Sequence, residues 1–205
     1  MTNPSHLNEL LALIEQRPFD TKRANLLLRS IDDPDQIISN SYGNDTTLLS
    51  KAVDNNNLEA VRCLLANGAD PNYVSPDYDC AFWELQYSWE EDDADEDRTR
   101  YEIAKLFLSH GADPNLLLEG ETIFDYVTYK VYNEIGDWDW HYLVSFYKLL
   151  VLYGGGGHGY GTPEISEPVD LSRVDEYQIR FRQHEDGYHI SGFLLNPDGK
   201  IIGQL

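Results

Sequence analysis

The sequence predicts a mostly α fold: a helical solenoid of about three repeats, preceded by an N-terminal helix pair and followed by a C-terminal three-stranded antiparallel β meander. Three observations predict it. Residues 58–72 (LEAVRCLLANGADPN) and 101–115 (YEIAKLFLSHGADPN) state one pattern 43 residues apart, an apolar helical face and then a stop. A single helix pair cannot bury its own apolar face, so repetition of this kind implies stacking of about three units with atypical ends. Beyond residue 176 the helical spacing of apolar residues gives way to alternation, the mark of half-buried strands.

The elements follow in order. Ser5 can cap a helix whose apolar face includes Leu7, Leu10, Leu11 and Ile14 and which ends before Pro18. Asp20 or Thr21 can cap a second helix carrying Ala24, Leu27, Leu28 and Ile31, with Pro34 beyond it. These two form an N-terminal capping pair over residues 1–40. Residues 41–155 hold the repeats. The first unit opens on the turn-forming cluster Ser41–Asp45, continues with a short helix at Thr47–Val53, and turns tightly at Asn55–Asn57. In its second helix Leu58, Val61, Leu64 and Leu65 share a face, Gly68 suits the left-handed stop, and Pro71 prevents a restart.

In the second unit a first helix is expected over Cys80–Tyr87 and a second over Tyr101–His110. Between them Glu90–Asp97 has seven acids in eight residues, expected as a solvated loop. The third unit opens at Thr122–Val127, carries an insertion around Asn133–Asp139, and runs its second helix over Trp140–Tyr153. Gly154–Gly161 is expected to be a flexible hinge between repeats and meander, and 156–176 a Gly/Pro-containing linker. Over 177–205, Tyr177, Ile179 and Phe181 alternate with polar residues, and turns fall at Glu185–Gly187 and Asn196–Gly199. A three-stranded sheet is marginal alone, so this meander is expected to pack on the last repeat.

The repeats resemble ankyrin repeats over about residues 5–155. Thr47, Leu49 and Ala52 stand where the family's Thr-Pro-Leu-His-x-Ala signature has its Thr, Leu and Ala, with Leu48 and Ser50 replacing Pro and His. The Gly-Ala-Asp-Pro-Asn stop, present at 68–72 and 111–115, is the more specific part of the match. The meander has no counterpart in the family pattern.

A formal net charge of −21 argues against nucleic acid and anionic membranes, whose phosphates need Lys and Arg, and permits a basic protein partner. Cys63 and Cys80 lie within apolar helical patterns and are expected as buried reduced thiols. The N-terminal residues lack the basic and apolar regions of a secretion signal, and no apolar run approaches a membrane span, so a cytoplasmic protein is expected. No catalytic constellation has a recognisable local frame, and no cofactor or metal site is expected. Asp93, Asp95 and Asp97 have the spacing that opens a calcium loop, but Arg98 and Ala104 stand where Gly and a bidentate Glu are required. The glycine run lacks the Lys-Ser/Thr continuation of a phosphate cradle.

The remaining candidate is a surface. The resemblance implies that partners bind a concave face built from the turn tips and the exposed side of each first helix. Carried over by position, this gives Val74, Asp77 and Asp79 before the first helix of unit two, and Trp83, Tyr87 and Ser88 on it. The acidic residues Glu90, Glu91, Asp92 and Asp93 follow. In unit three the same positions are Leu117, Glu119 and Glu121, then Asp125 and Tyr129. Tyr and Trp favour interface hot spots, and carboxylates at their rim would suit a basic partner.

The expected function is a non-enzymatic protein-binding module, monomeric on its own, that takes a basic protein on this face. A narrower form is an immunity protein or inhibitor that masks a basic toxin or nuclease. An alternative of another class is an enzyme seated in the C-terminal part with the repeats as its recognition arm. A third is a self-assembling array that pairs through an edge strand of the meander.

Overall fold

The computed structural model describes residues 4–39, 45–86, 94–133, 140–157, 162–184 and 190–205. The chain divides into two compact units, Met1–Ala112 and Asp113–Leu205.

The first unit is helical. Helices α1 (Pro4–Glu15) and α2 (Thr21–Leu28) form the N-terminal pair and bury Leu10, Leu13, Ile14, Ala24, Leu27 and Leu28. Asp20 caps α2 by accepting the Arg23 N–H at 3.0 Å. Ser5, expected as the cap of α1, lies inside that helix. Two-residue strands β1 (Ile38–Ser39) and β2 (Asp45–Thr46) pair antiparallel and lead into α3 (Leu48–Asp54) and α4 (Leu58–Ala66). Thr47 caps α3 through the Ser50 N–H. Asn57 caps α4 through the Ala60 N–H and donates back to the Ile14 carbonyl at 2.7 Å, tying the repeat to the N-terminal pair.

Two expectations in unit two differ from what is found. The stretch expected as a first helix forms only a 3₁₀ turn, Trp83–Gln86. Its first two N–H groups, of Trp83 and Glu84, share the Cys80 carbonyl, and Phe82, Trp83 and Leu85 turn inward, so the segment is an anchor rather than an amphipathic helix. The helix that follows, α5 (Ala94–Ser109), starts seven residues before Tyr101. Asp95, Glu96 and Asp97, expected in a loop, occupy its first turn. Carboxylates there face the positive end of the helix dipole, so the acids extend the helix where apolar spacing gives no sign of it. Glu90–Asp93 lie outside the described residues.

The second unit begins with a hairpin of β3 (Leu117–Leu118) and β4 (Glu121–Thr122), closed by Glu119 and Gly120 at φ 52° and 96°. Two successive positive φ values match the twist of a tight hairpin. Helices α6 (Ile123–Asn133) and α7 (Trp140–Leu152) pack against each other. The chain then forms β5 (Glu164–Ile165), a 3₁₀ turn (Leu171–Glu176), β6 (Gln178–Gln183), β7 (Ile190–Leu195) and β8 (Ile201–Gln204). The antiparallel sheet has the order β5-β8-β7-β6, with Arg180 opposite Phe193 and Leu194 opposite Gly203. The sheet therefore has four strands rather than three. Its extra strand comes from residues read as linker, since two residues are too few to show alternation. It packs on the helix pair: Phe181 meets Tyr132 edge-on at 5.6 Å, and Val174 and Tyr177 are buried where the 3₁₀ turn and β6 meet α7.

The Gly-Ala-Asp stop does more than end helices. Gly68, Gly111 and Gly154 all hold φ near 90°, and their spacing is 43 residues each time (111 − 68 and 154 − 111). At each, the glycine N–H and the next N–H bond carbonyls of the last turn: Leu65 and Leu64, Leu108 and Phe107, Val151 and Leu150. This is the Schellman geometry. The Asn of each motif then reaches forward: Asn72 Nδ2 donates to the Gly111 carbonyl at 2.9 Å, and Asn115 Nδ2 to the Gly154 carbonyl at 3.2 Å. Each stop is thus bonded to the one 43 residues on by the same side chain. Gly154–Gly156, expected as part of a hinge, instead form a helix stop and a close backbone approach. Residues 158–161 lie outside the described residues.

Candidate protein-binding surface

In the first unit the turn between α4 and the 3₁₀ turn exposes Pro76, Asp77 and Tyr78. The Ser75 N–H donates to the Asp79 carbonyl, the Tyr78 N–H to the Ser75 carbonyl, and the Asp79 N–H to Ser75 Oγ. This closed loop holds Tyr78 at φ 62°, 60% exposed, between Asp77 and Asp79. A non-glycine residue in the left-handed region costs on the order of 1–2 kcal/mol. Asp77 Oδ2 accepts the Asp45 N–H at 2.7 Å, and Ser75 Oγ donates to the Asp45 carbonyl, so β2 braces the tip. Val74 is half-buried at its base.

Beside the tip lies a carboxylate cluster. Glu84, on the 3₁₀ turn, is pushed up to about 7 by its own burial, then by repulsion from Asp54 of α3 and from Asp79. Arg100 and Lys51 oppose the rise without cancelling it. Asp79 Oδ2 is buried and has no hydrogen-bond partner among the described residues. Lys51 sits 3.1 Å from Asp54. Arg100 is wholly buried beneath: one guanidinium nitrogen donates to the Glu84 carbonyl at 3.2 Å, and Nε lies 3.8 Å from Glu96. Trp83, expected as an exposed anchor, is only 8% exposed and belongs to the packing under the turn. Tyr87, Ser88, Glu90, Glu91, Asp92 and Asp93 lie outside the described residues.

The second unit has exposed apolar and acidic residues at the positions expected from the repeat. Leu117 is 58% exposed on β3, Glu119 stands at positive φ in the hairpin turn, and Glu121 is exposed. Tyr129 is exposed on α6. Asp125 differs from expectation. It is buried, its carboxylate accepts the Thr122 hydroxyl at 2.8 Å, and its N–H donates to the same oxygen at 3.0 Å. Thr122 thus caps α6 through the Asp125 N–H, and Asp125 is held by the Thr122 hydroxyl rather than offered to a partner.

Sequence reasoning named Asp77 and Asp79 but missed Tyr78 between them, and it missed Glu84. Neither breaks a repeat pattern. The signal that could have marked Tyr78 is an aromatic residue between two turn-forming acids. Cys63 and Cys80 are buried free thiols, and burial pushes Cys80 up to about 11, far from a nucleophile's range. Among the described residues no group of three or more His, Cys, Asp or Glu side chains could hold a metal ion, and no helix is long and apolar enough to cross a membrane.

Residues 44–76 match the ankyrin repeat family model, so the chain carries such a repeat over the stretch that holds β2, α3 and α4. No curated protein matches the chain. Ankyrin repeats generally mediate protein–protein interaction.

Proposed function

We propose that this protein is a non-enzymatic, cytoplasmic interaction module, monomeric alone, that binds a basic protein through its acidic finger tips and the carboxylates beside them. The observation that carries this reading is Tyr78: an exposed aromatic residue held at positive φ between two acids, where strain and exposure both work against stability. Leu117 with Glu119 and Glu121 supports it in the second unit. The charge of −21 steers a cationic protein toward the chain and repels nucleic acid and anionic membranes. Two buried reduced thiols suit a reducing compartment. The same charge supports the narrower form, an inhibitor that covers the basic substrate-facing surface of a toxin or nuclease.

Immobilised protein exposed to native cell extract is expected to retain a basic protein at about 50 mM salt and release most of it at about 500 mM, where surface charges are screened beyond a few ångströms. Asp54→Lys and Asp77→Lys should each reduce capture at least tenfold. Asp54 serves as the companion because Asp77 also holds the Asp45 N–H. Capture that tolerates both salt and both substitutions defeats the proposal.

A further inference from the structure

Helix α6 turns the side chains of Phe124, Thr128 and Tyr132, four residues apart, toward a cavity of about 220 Å³ within the second unit. Tyr147 of α7 is fully buried against it, while Thr162, Pro163 and Leu205, exposed or half-buried, form its rim. The aromatic rings stand at angles to one another. Phe124 and Tyr147 are 5.6 Å apart and tilted by 40°, and Tyr132 meets Tyr147 edge-on at 6.3 Å. Rings so placed offer both faces and edges to a further ring.

The walls are held by backbone. A Cβ at Gly155 would overlap the Phe124 ring, one at Gly156 would lie 2.9 Å from Thr162 Oγ1, and one at Gly192 would lie 2.5 Å from the Tyr132 hydroxyl. Three glycines therefore let the chain close against this cavity. The polar side chains that line it carry hydroxyls alone. Thr128 donates to the Phe124 carbonyl at 2.6 Å and Tyr132 to the Leu205 carbonyl at 3.2 Å, and the Tyr147 hydroxyl lies beside both. No lining side chain carries a charge. Burial raises both phenols above the ordinary tyrosine range and keeps them neutral.

We propose that this cavity binds a small neutral aromatic molecule, one or two fused rings carrying a single hydrogen-bonding group, of the phenol or indole kind. An apolar cavity of about 150 Å³ accommodates benzene, so the larger volume here leaves room for a second ring or a polar substituent. The hydroxyls supply a partner for that substituent, and an anion would enter without a counter-charge.

The test is a titration of the full-length protein with indole, followed by NMR. Indole should saturate with Kd below about 1 mM and show NOEs to the Phe124 and Tyr147 rings. Indole-3-carboxylate should bind at least about tenfold more weakly. Thr128→Phe fills the cavity from the helix side, and Thr162→Trp closes it from the rim without touching the core. Loss of indole binding in each variant that folds supports the site. Absence of saturable binding, binding retained by a folded variant, or equal affinity for the carboxylate overturns it.

Discussion

Gly155→Ala is expected to lower stability by about 3 kcal/mol and the thermal midpoint by roughly 10 °C. The new Cβ would overlap the Phe124 ring, which is 1% exposed, and would lie 2.9 Å from the Leu150 carbonyl oxygen. That oxygen accepts the Gly155 N–H at 2.8 Å in the stop of α7, so the clash falls on backbone that cannot move without opening the cap. The neighbouring Gly154→Ala is the control. Gly154 holds φ 88° with open space where its Cβ would sit, so its cost is conformational alone, about 1 kcal/mol. Denaturant midpoints of the two variants decide the matter. Equal losses would mean that the Phe124 ring yields into the adjoining cavity.

Glu84→Gln is expected to stabilise the protein by about 2 kcal/mol at pH 8 and to leave it nearly unchanged at pH 4. Burial and the charges of Asp54 and Asp79 raise this carboxyl to about 7, from an ordinary value of 4.5. A raised carboxyl binds its proton more tightly in the folded chain than in the unfolded one. Stability therefore falls as pH rises from about 4.5 to 7 and stays low above that. The full shift would correspond to about 3 kcal/mol, which partial solvent access and salt screening reduce to about 2. The amide removes the repulsion but keeps the shape. Unfolding measured from pH 4 to 8 should show the wild-type decline flattened in the variant. Parallel curves would place the charge penalty elsewhere.

The scaffold was legible because repetition amplifies weak signals. Gly68 and Gly111 announce their left-handed stops, and the apolar spacing from Leu58 to Leu65 specifies α4 as found. Where a unit departs from the pattern, legibility fell. The start of α5 is written in carboxylates that satisfy a dipole rather than in apolar spacing, and Trp83 points inward because the 3₁₀ turn rotates it differently from a helix. At the candidate site, Asp77, Asp79, Leu117 and Glu119 stood out by position in the repeat. Asp125 did not reveal that Thr122 would claim it, because capping pairs and exposed acids share one residue type. Tyr78 was passed over because what sets it apart most is a backbone angle, and Arg100 because a buried guanidinium near an acidic stretch reads as a surface ion pair.

We propose that the strained turn at Tyr78 is kept for a partner. Tyr78→Gly tests it most directly, because glycine accepts φ 62° freely and removes only the exposed ring. This variant is expected to be at least as stable as the wild type, by up to about 1 kcal/mol, yet to retain at least tenfold less of the basic protein captured from extract. A stable Tyr78→Gly variant that captures the same protein with undiminished affinity would contradict it.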